Sequence, residues 1–155
     1  MRKIIPGSLC FILPGIILYM ISCVPPSCLE DTESYLNASF YDTTEKKLLA
    51  PDTLTLYGLN NDSTIYIKSS GIQPARIPLN ASAETSSFVI IINGQTDTIS
   101  FRYTSYPHLI SKECGYTFYH HLDTLPVFTK HMIKDIYTAN ETITNTKIEN
   151  IRIFY

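Results

Sequence analysis

Phe88-Val89-Ile90-Ile91-Ile92-Asn93-Gly94-Gln95-Thr96-Asp97-Thr98-Ile99-Ser100-Phe101-Arg102-Tyr103 is the stretch that decides the fold. An unbroken apolar run reaches Asn93-Gly94, the strongest short-range hairpin signal. After the turn, Ile99, Phe101 and Tyr103 alternate with Ser100, Arg102 and Thr104. Period-two alternation in β-branched and aromatic residues marks a half-buried strand, and the preceding run marks one buried on both faces. The stretch reads as a central hairpin over 87–92 and 97–104.

The same pattern extends in both directions. Leu36, Ala38 and Phe40 alternate with polar or amphipathic neighbours, as do Leu54 and Leu56, and Ile65 and Ile67. The turn formers from Gly58 to Ser63 join the last two runs into a second hairpin. Pro74 and Pro78 confine the strand around Ile77 and Leu79 to a sheet edge, because proline lacks a ladder donor. After Pro107 a loop leads to Cys114-Gly115. Tyr116, Phe118, His120 and Leu122 then alternate again. Residues 131–137 fit either a short helix or a strand, and the surrounding β character favours a strand over 133–138. Ile151, Ile153 and Tyr155 share one face of a closing strand, which is expected to be paired. The whole reads as all-β: an antiparallel β-sandwich of about eight strands, with a small β-barrel as the alternative. No period repeats, which excludes solenoids and propellers.

The N-terminus reads as an address. Arg2 and Lys3 precede a charge-free stretch from Ile4 to Ile21 that ends in Ser22 and Cys23. Pro6, Gly7, Pro14 and Gly15 make it a poor helix, and the layout fits a secretory signal peptide over 1–22. Met20-Ile21-Ser22-Cys23 resembles a bacterial lipobox, in which the Cys thiol is acylated and the chain is cleaved before it. Cys23 is thus the expected lipidation site, and several acyl chains on one residue anchor firmly to the membrane. Residues 23–34, Pro-rich and then acidic, read as a lipid-anchored tether. The β-sandwich domain follows over 35–155.

Once Cys10 leaves with the signal and Cys23 is acylated, Cys28 and Cys114 remain. In an exported chain two such thiols form a structural disulfide or stay buried and free. A bridge closing so long a loop stabilises by about 4 kcal/mol in the chain-entropy model.

The search for chemistry returns little. Twelve Lys+Arg against fourteen Asp+Glu leave no basic surplus, so nucleic acid is not an expected partner. His120 and His121 are adjacent and would point to opposite faces of a strand. A metal site would have to combine one of them with His131 and Asp123, and nothing in the spacing demands it; His108 stands apart. No nucleophile elbow, phosphate loop or dinucleotide fingerprint is present. The chain is therefore read as a non-enzyme without metal or cofactor, apart from the covalent lipid. Eleven Tyr and no Trp raise the alternative of a Tyr-rich binding face. Tyr35, Tyr41, Tyr57, Tyr66, Tyr103, Tyr106, Tyr116 and Tyr119 lie on or beside strands, where Tyr is also a favoured covering residue. Asp, then Thr or Ser, then an apolar residue or Thr recurs five times, with Thr43, Thr53, Ser63, Thr98 and Thr124 in the middle position. This resembles the O-glycosylation motif of exported Bacteroidota proteins, and Asp-Thr is also turn chemistry.

Taken together, the lipobox Cys23, the second cysteine at Cys28, the segments Asp97–Tyr103 and Ile110–Gly115, and the terminal Asn150–Tyr155 resemble a family of small, uncharacterised envelope lipoproteins of Bacteroidota. The resemblance implies an envelope location and paired cysteines, and no activity. In that phylum an acidic run directly after the lipidated Cys marks surface export. Here Val24-Pro25-Pro26-Ser27 intervene before Glu30, which favours the periplasm-facing side of the outer membrane. The expected function is a non-catalytic lipoprotein that binds or braces an envelope protein or glycan. The alternatives are a surface glycan-binding or adhesion module and an enzyme or metal site around the His residues.

Overall fold

Asn93 and Gly94 both take positive φ, 50° and 83°, the backbone that a two-residue hairpin turn requires. The turn sets Ile92 opposite Gln95, and the ladder runs back to Thr85 opposite Arg102. This hairpin is the centre of the larger of two sheets. The structure is a computed structural model that describes residues 27–60 and 64–155. The expected signal segment 1–22, Cys23 and Ser63 lie outside the described residues.

Eleven strands occur among the described residues: β1 Tyr35–Tyr41, β2 Leu54–Gly58, β3 Thr64–Ser69, β4 Ala75–Pro78, β5 Thr85–Ile92, β6 Gln95–Ser111, β7 Gly115–Leu122, β8 Val127–Phe128, β9 Asp135–Thr138, β10 Thr142–Ile143 and β11 Ile151–Phe154. A seven-stranded sheet has the order β10-β7-β6-β5-β2-β3, with β8 also on β6, and a four-stranded sheet has the order β4-β1-β11-β9. The larger sheet stays open, ending at β10 and β3, so the fold is a sandwich-like all-β fold rather than a closed barrel.

The expected hairpins 53–68 and 87–104 both form, and β4 takes the edge position that its prolines dictate. One pairing departs from the antiparallel expectation. β1 and β11, the first and last strands, run parallel side by side, with Ala38 opposite Ile151 and Phe40 opposite Ile153. Two buried asparagines start this pairing. Asn37 N–H donates to Asn150 Oδ1 at 2.9 Å and Asn150 N–H donates to the Asn37 carbonyl at 2.9 Å. The Asn37 amide further donates to the Thr146 and Ile148 carbonyls, which fastens the 144–150 segment over β1.

The two sheets bury one core. Leu36, Ala38, Phe40, Ile151 and Ile153 come from the small sheet, and Leu54, Leu56, Ile90, Ile92, Ile99, Phe101 and Tyr103 from the large one. Each is at most 1% exposed, so the alternation in the sequence translates directly into an inward face. β6 runs further than expected. It continues past Pro107 to Ser111 and pairs with β7 throughout, where a loop was expected. On the β5 side the ladder ends at Arg102, with one further bond from Tyr103 N–H to the Glu84 carbonyl, and among the described residues no strand pairs with that side of β6 at Pro107; proline is tolerated on a strand with one open side. The β6–β7 hairpin therefore projects beyond the part of β6 that β5 covers.

Candidate functional site

Where the β6–β7 hairpin turns, Cys114 bonds to Cys28 across 86 residues, with Cα atoms 4.8 Å apart. The disulfide reading of the two cysteines thus corresponds to a definite place: it ties the start of the described chain to the tip of the longest hairpin. Gly115 takes φ 74° at that turn, and Cys114 N–H donates to Ser111 Oγ at 3.0 Å. The tether is fastened at two further points. Thr117 Oγ1 donates to the Thr32 carbonyl at 2.6 Å, and the Asn145 amide donates to the Asp31 carbonyl at 2.8 Å. The second half of the expected spacer is therefore docked along β7, while Glu30, Asp31 and Glu33 stay exposed to water.

The two faces of the hairpin differ. On one face Tyr106 lies opposite Tyr119 and His108 opposite Thr117. His108 stacks on Tyr119 at 4.1 Å, and Tyr119 Oη donates to Asn145 Oδ1 at 2.7 Å. The other face continues the inward register of the core: Tyr103 with Leu122, Ser105 with His120, Pro107 with Phe118, Leu109 with Tyr116. The first two pairs are covered. In the last two, Pro107, Leu109, Phe118 and Tyr116 are exposed, Tyr116 to 73%. A cleft of about 250 Å³ lies where the hairpin leaves the sandwich, lined by Ser34, Tyr35, Leu79, Phe118 and His120 among others. Ser34 Oγ is buried there without a hydrogen-bond partner among the described residues.

The four histidines go to four places. His120 is buried, its Nδ1 2.8 Å from Ser105 Oγ and its ring edge-on to Tyr103 at 5.4 Å. Burial holds its pKa below the ordinary imidazole value, which favours the neutral ring. His121 points to the opposite side, 3.8 Å from Glu141 at an exposed position. His131 Nδ1 is 3.0 Å from Asp97 Oδ1. Asp123 accepts from Thr104 Oγ1 at 3.1 Å. The structure does not bring His120, His131 and Asp123 together, and among the described residues no three His, Cys, Asp or Glu side chains cluster in a way that could hold a metal ion.

Asp97 is the most connected carboxylate. It sits in the inward register of β6, only 1% exposed. Oδ1 accepts from Thr129 Oγ1 at 2.6 Å and from His131 N–H at 2.9 Å, while Oδ2 accepts from Met132 N–H at 2.7 Å and Ile133 N–H at 2.9 Å. Burial alone would raise its pKa; the four donors outweigh burial and hold it at about 2. The residue clamps the 129–133 segment as a loop, which is why β9 begins only at Asp135. One signal in the sequence marked it: an acid in phase with Ile99, Phe101 and Tyr103.

The tyrosines do not form one platform. Tyr103 is core, its Oη bonded to Asn80 and Ser86. Tyr106, Tyr116 and Tyr119 belong to the hairpin. On the small sheet, Tyr41 and Phe154 pack at 5.4 Å, Lys46 lies 4.5 Å over Phe154, and Arg152 lies 5.6 Å from Tyr41 and 5.8 Å from Tyr137. Of the Asp-Thr positions described, Thr53 and Thr124 are exposed. Thr43 Oγ1 is engaged with the Tyr155 carbonyl, and Thr98 is half-buried on β6. The preceding acids have structural partners in three cases: Asp42 caps a turn through Thr44 and Glu45, Asp97 clamps its loop, and Asp123 binds Thr104.

No curated protein matches the chain, and no solved structure does. One family model matches, over residues 53–155, which takes in every strand from β2 to β11 and the hairpin cysteine Cys114. The chain belongs to the family of unknown function DUF6452.

Proposed function

We propose that the protein is a non-catalytic lipoprotein of the bacterial cell envelope, of the Bacteroidota type. Cys23 anchors it to the outer membrane on the periplasm-facing side, and the sandwich binds or braces another envelope component. The observation that carries this reading is the Cys28–Cys114 bond. A disulfide belongs to an oxidising compartment, which agrees with a signal segment over 1–22. The bond also shortens the link between the expected anchor and the domain, as suits a domain held in place rather than on a free leash. Supporting it further, the best-connected polar residues, Asp97, Asn37 and Asn150, spend their donors and acceptors on the fold.

Intact mass of the protein purified from its own membranes tests the reading. The expected result is Cys23–Tyr155 plus acyl chains, rising by about 2 Da on reduction as one disulfide opens. An unacylated mass would overturn the anchor. Among the described positions any glycan mass is expected on Thr53 or Thr124, which are exposed, and glycopeptide mapping, Ser63 included, would locate it.

A second reading, a surface glycan-binding or adhesion module, is favoured by the small sheet's aromatic and cationic cluster of Tyr41, Tyr137, Phe154, Lys46 and Arg152. Exposed aromatic faces stack on sugars and guanidinium groups hydrogen-bond them. Protease shaving of intact cells separates the two readings, since only a surface module would be cut.

A further inference from the structure

The projecting half of the β6–β7 hairpin has an apolar face that the described residues leave open to water beyond the cleft at its base, where Phe118 meets Ser34, Tyr35 and Leu79. Pro107, Leu109, Tyr116 and Phe118 share that face, in the register that buries Tyr103 and Leu122 nearer the sandwich. None of the four is charged. Single exposed apolar residues are ordinary on any surface; an uncovered continuation of a core face is not.

What covers it follows from the covalent chain. The described residues begin at Ser27, beside the cysteine bonded to the hairpin tip. Cys23 precedes Cys28 by five residues, so their Cα atoms are at most about 18 Å apart however the intervening residues run. The Cα of Cys114 is another 4.8 Å away. A lipid on Cys23 therefore keeps the hairpin tip near the bilayer, and Leu109 and Tyr116 lie one rung from the closing pair Ser111 and Gly115. Leu29, next to the disulfide, is 93% exposed and adds to the apolar surface at this end. Tyr and Phe beside Leu suit the headgroup layer, where one end of a ring is apolar and the other wet.

We propose that the Leu109–Tyr116–Phe118 face rests in the headgroup layer of the membrane that holds Cys23, so that lipid and hairpin make two contacts and fix the orientation of the sandwich. This rests on the anchoring reading above. The disulfide is the strut between the two contacts. Opening it leaves the lipid attached and frees the hairpin tip.

The chain has no Trp, so Tyr116→Trp installs a single reporter. The full-length protein, matured and purified from its own membranes, is reconstituted into phosphatidylethanolamine/phosphatidylglycerol vesicles with and without bromine-labelled acyl chains. The expected result is a blue-shifted emission that bromolipids quench about twofold, because an interfacial indole lies within reach of the upper chain. Tyr137→Trp, on the small sheet, is expected to stay unquenched, and reduction is expected to abolish most of the quenching at position 116. If Tyr116→Trp fails to fold, Phe118→Trp reports on the same face. Acylated, vesicle-bound protein with no quenching at either position overturns the proposal and leaves the anchor standing. A blue shift without quenching also overturns it, since protein rather than lipid then covers the face. Protein without acyl mass that stays off the vesicles overturns the anchor and the proposal together.

Discussion

From Gln95 to Thr104, β6 turns Asp97, Ile99, Phe101 and Tyr103 into the sandwich, and all four are buried; from Ser105 to Ser111 the same register continues through Pro107 and Leu109, which are exposed. Both halves alternate, and both pair in register with a neighbour. What separates them is a second layer. The first half has β5 along one side and β8 on the other at Ile99 and Ser100, and its inward residues join the core shared with the small sheet, while among the described strands the second half pairs with β7 alone. Alternation records which side chains share a face; burial also needs something opposite. The hairpin thus carries a core-like face without a core.

The sharpest way to break this comparison is one substitution in each half. Phe101→Ala removes a fully buried ring and is expected to destabilise by about 4 kcal/mol. Phe118→Ala, on the uncovered face, is expected to change stability by less than about 1 kcal/mol. Denaturant midpoints measure both. Equal losses would mean that the hairpin belongs to the core after all.

Next in size is Asp97→Asn. The amide keeps one acceptor oxygen and loses the charge, and its NH2 then faces either the N–H groups of Met132 and Ile133 or that of His131, donor against donor. A loss of about 3 kcal/mol is expected, since hydrogen bonds to a buried charged group are strong and orphaned donors are costly. Hydrogen exchange should show the damage concentrated at 129–133.

Removing the disulfide acts on the other half. Cys28→Ser with Cys114→Ser is expected to lower stability by about 3 kcal/mol, mainly by restoring loop entropy to the unfolded chain. Locally, amides of 105–111 and 115–119 should exchange faster while those of Ile99 and Phe101 hold. Uniform loosening of both halves would show that the bond braces the sandwich itself rather than the hairpin.

These contrasts also mark what could be read from the sequence. Asn93-Gly94 announced its hairpin because only a few residues accept positive φ at both turn positions. Pro78 announced an edge strand because a missing donor is a local property. The parallel pairing of β1 with β11 was not legible: it joins strands more than a hundred residues apart, and its determinants are two asparagines that resemble loop residues until they meet. Pro107 pointed to a loop because a strand open on one side cannot be foreseen without its neighbours. Of the candidate site, the two cysteines were visible as a pair, but the meaning of the bond depends on Cys114 sitting at a hairpin tip. The His residues showed the reverse. Their number suggested a cluster, and strand register sent His120 inward, His121 outward, and His108 and His131 to separate neighbours.

The smallest expected effect is a matter of pH, and it separates the core from the hairpin once more, because Asp97 and His120 are buried at the covered end. Asp97 falls from its ordinary 3.8 to about 2 in the folded chain. Between those values the unfolded chain binds a proton that the native chain refuses, so stability is full above about pH 4 and falls by about 2 kcal/mol as the pH drops to 2. His120 is lowered from 6.5 by burial. Its contribution too is present above 6.5 and declines as the pH falls, since the unfolded imidazole protonates first. Denaturant midpoints at pH 7.5, 5, 4 and 2 should therefore show two acid-side declines in the native protein. Asp97→Asn should lose the lower one and His120→Gln the upper one, while Tyr116→Ser, on the uncovered face, keeps both. If the lower decline survives in Asp97→Asn, another carboxylate carries it. Glu149, bonded to Arg152 and Tyr41 and also held below its usual range, is then the group to replace.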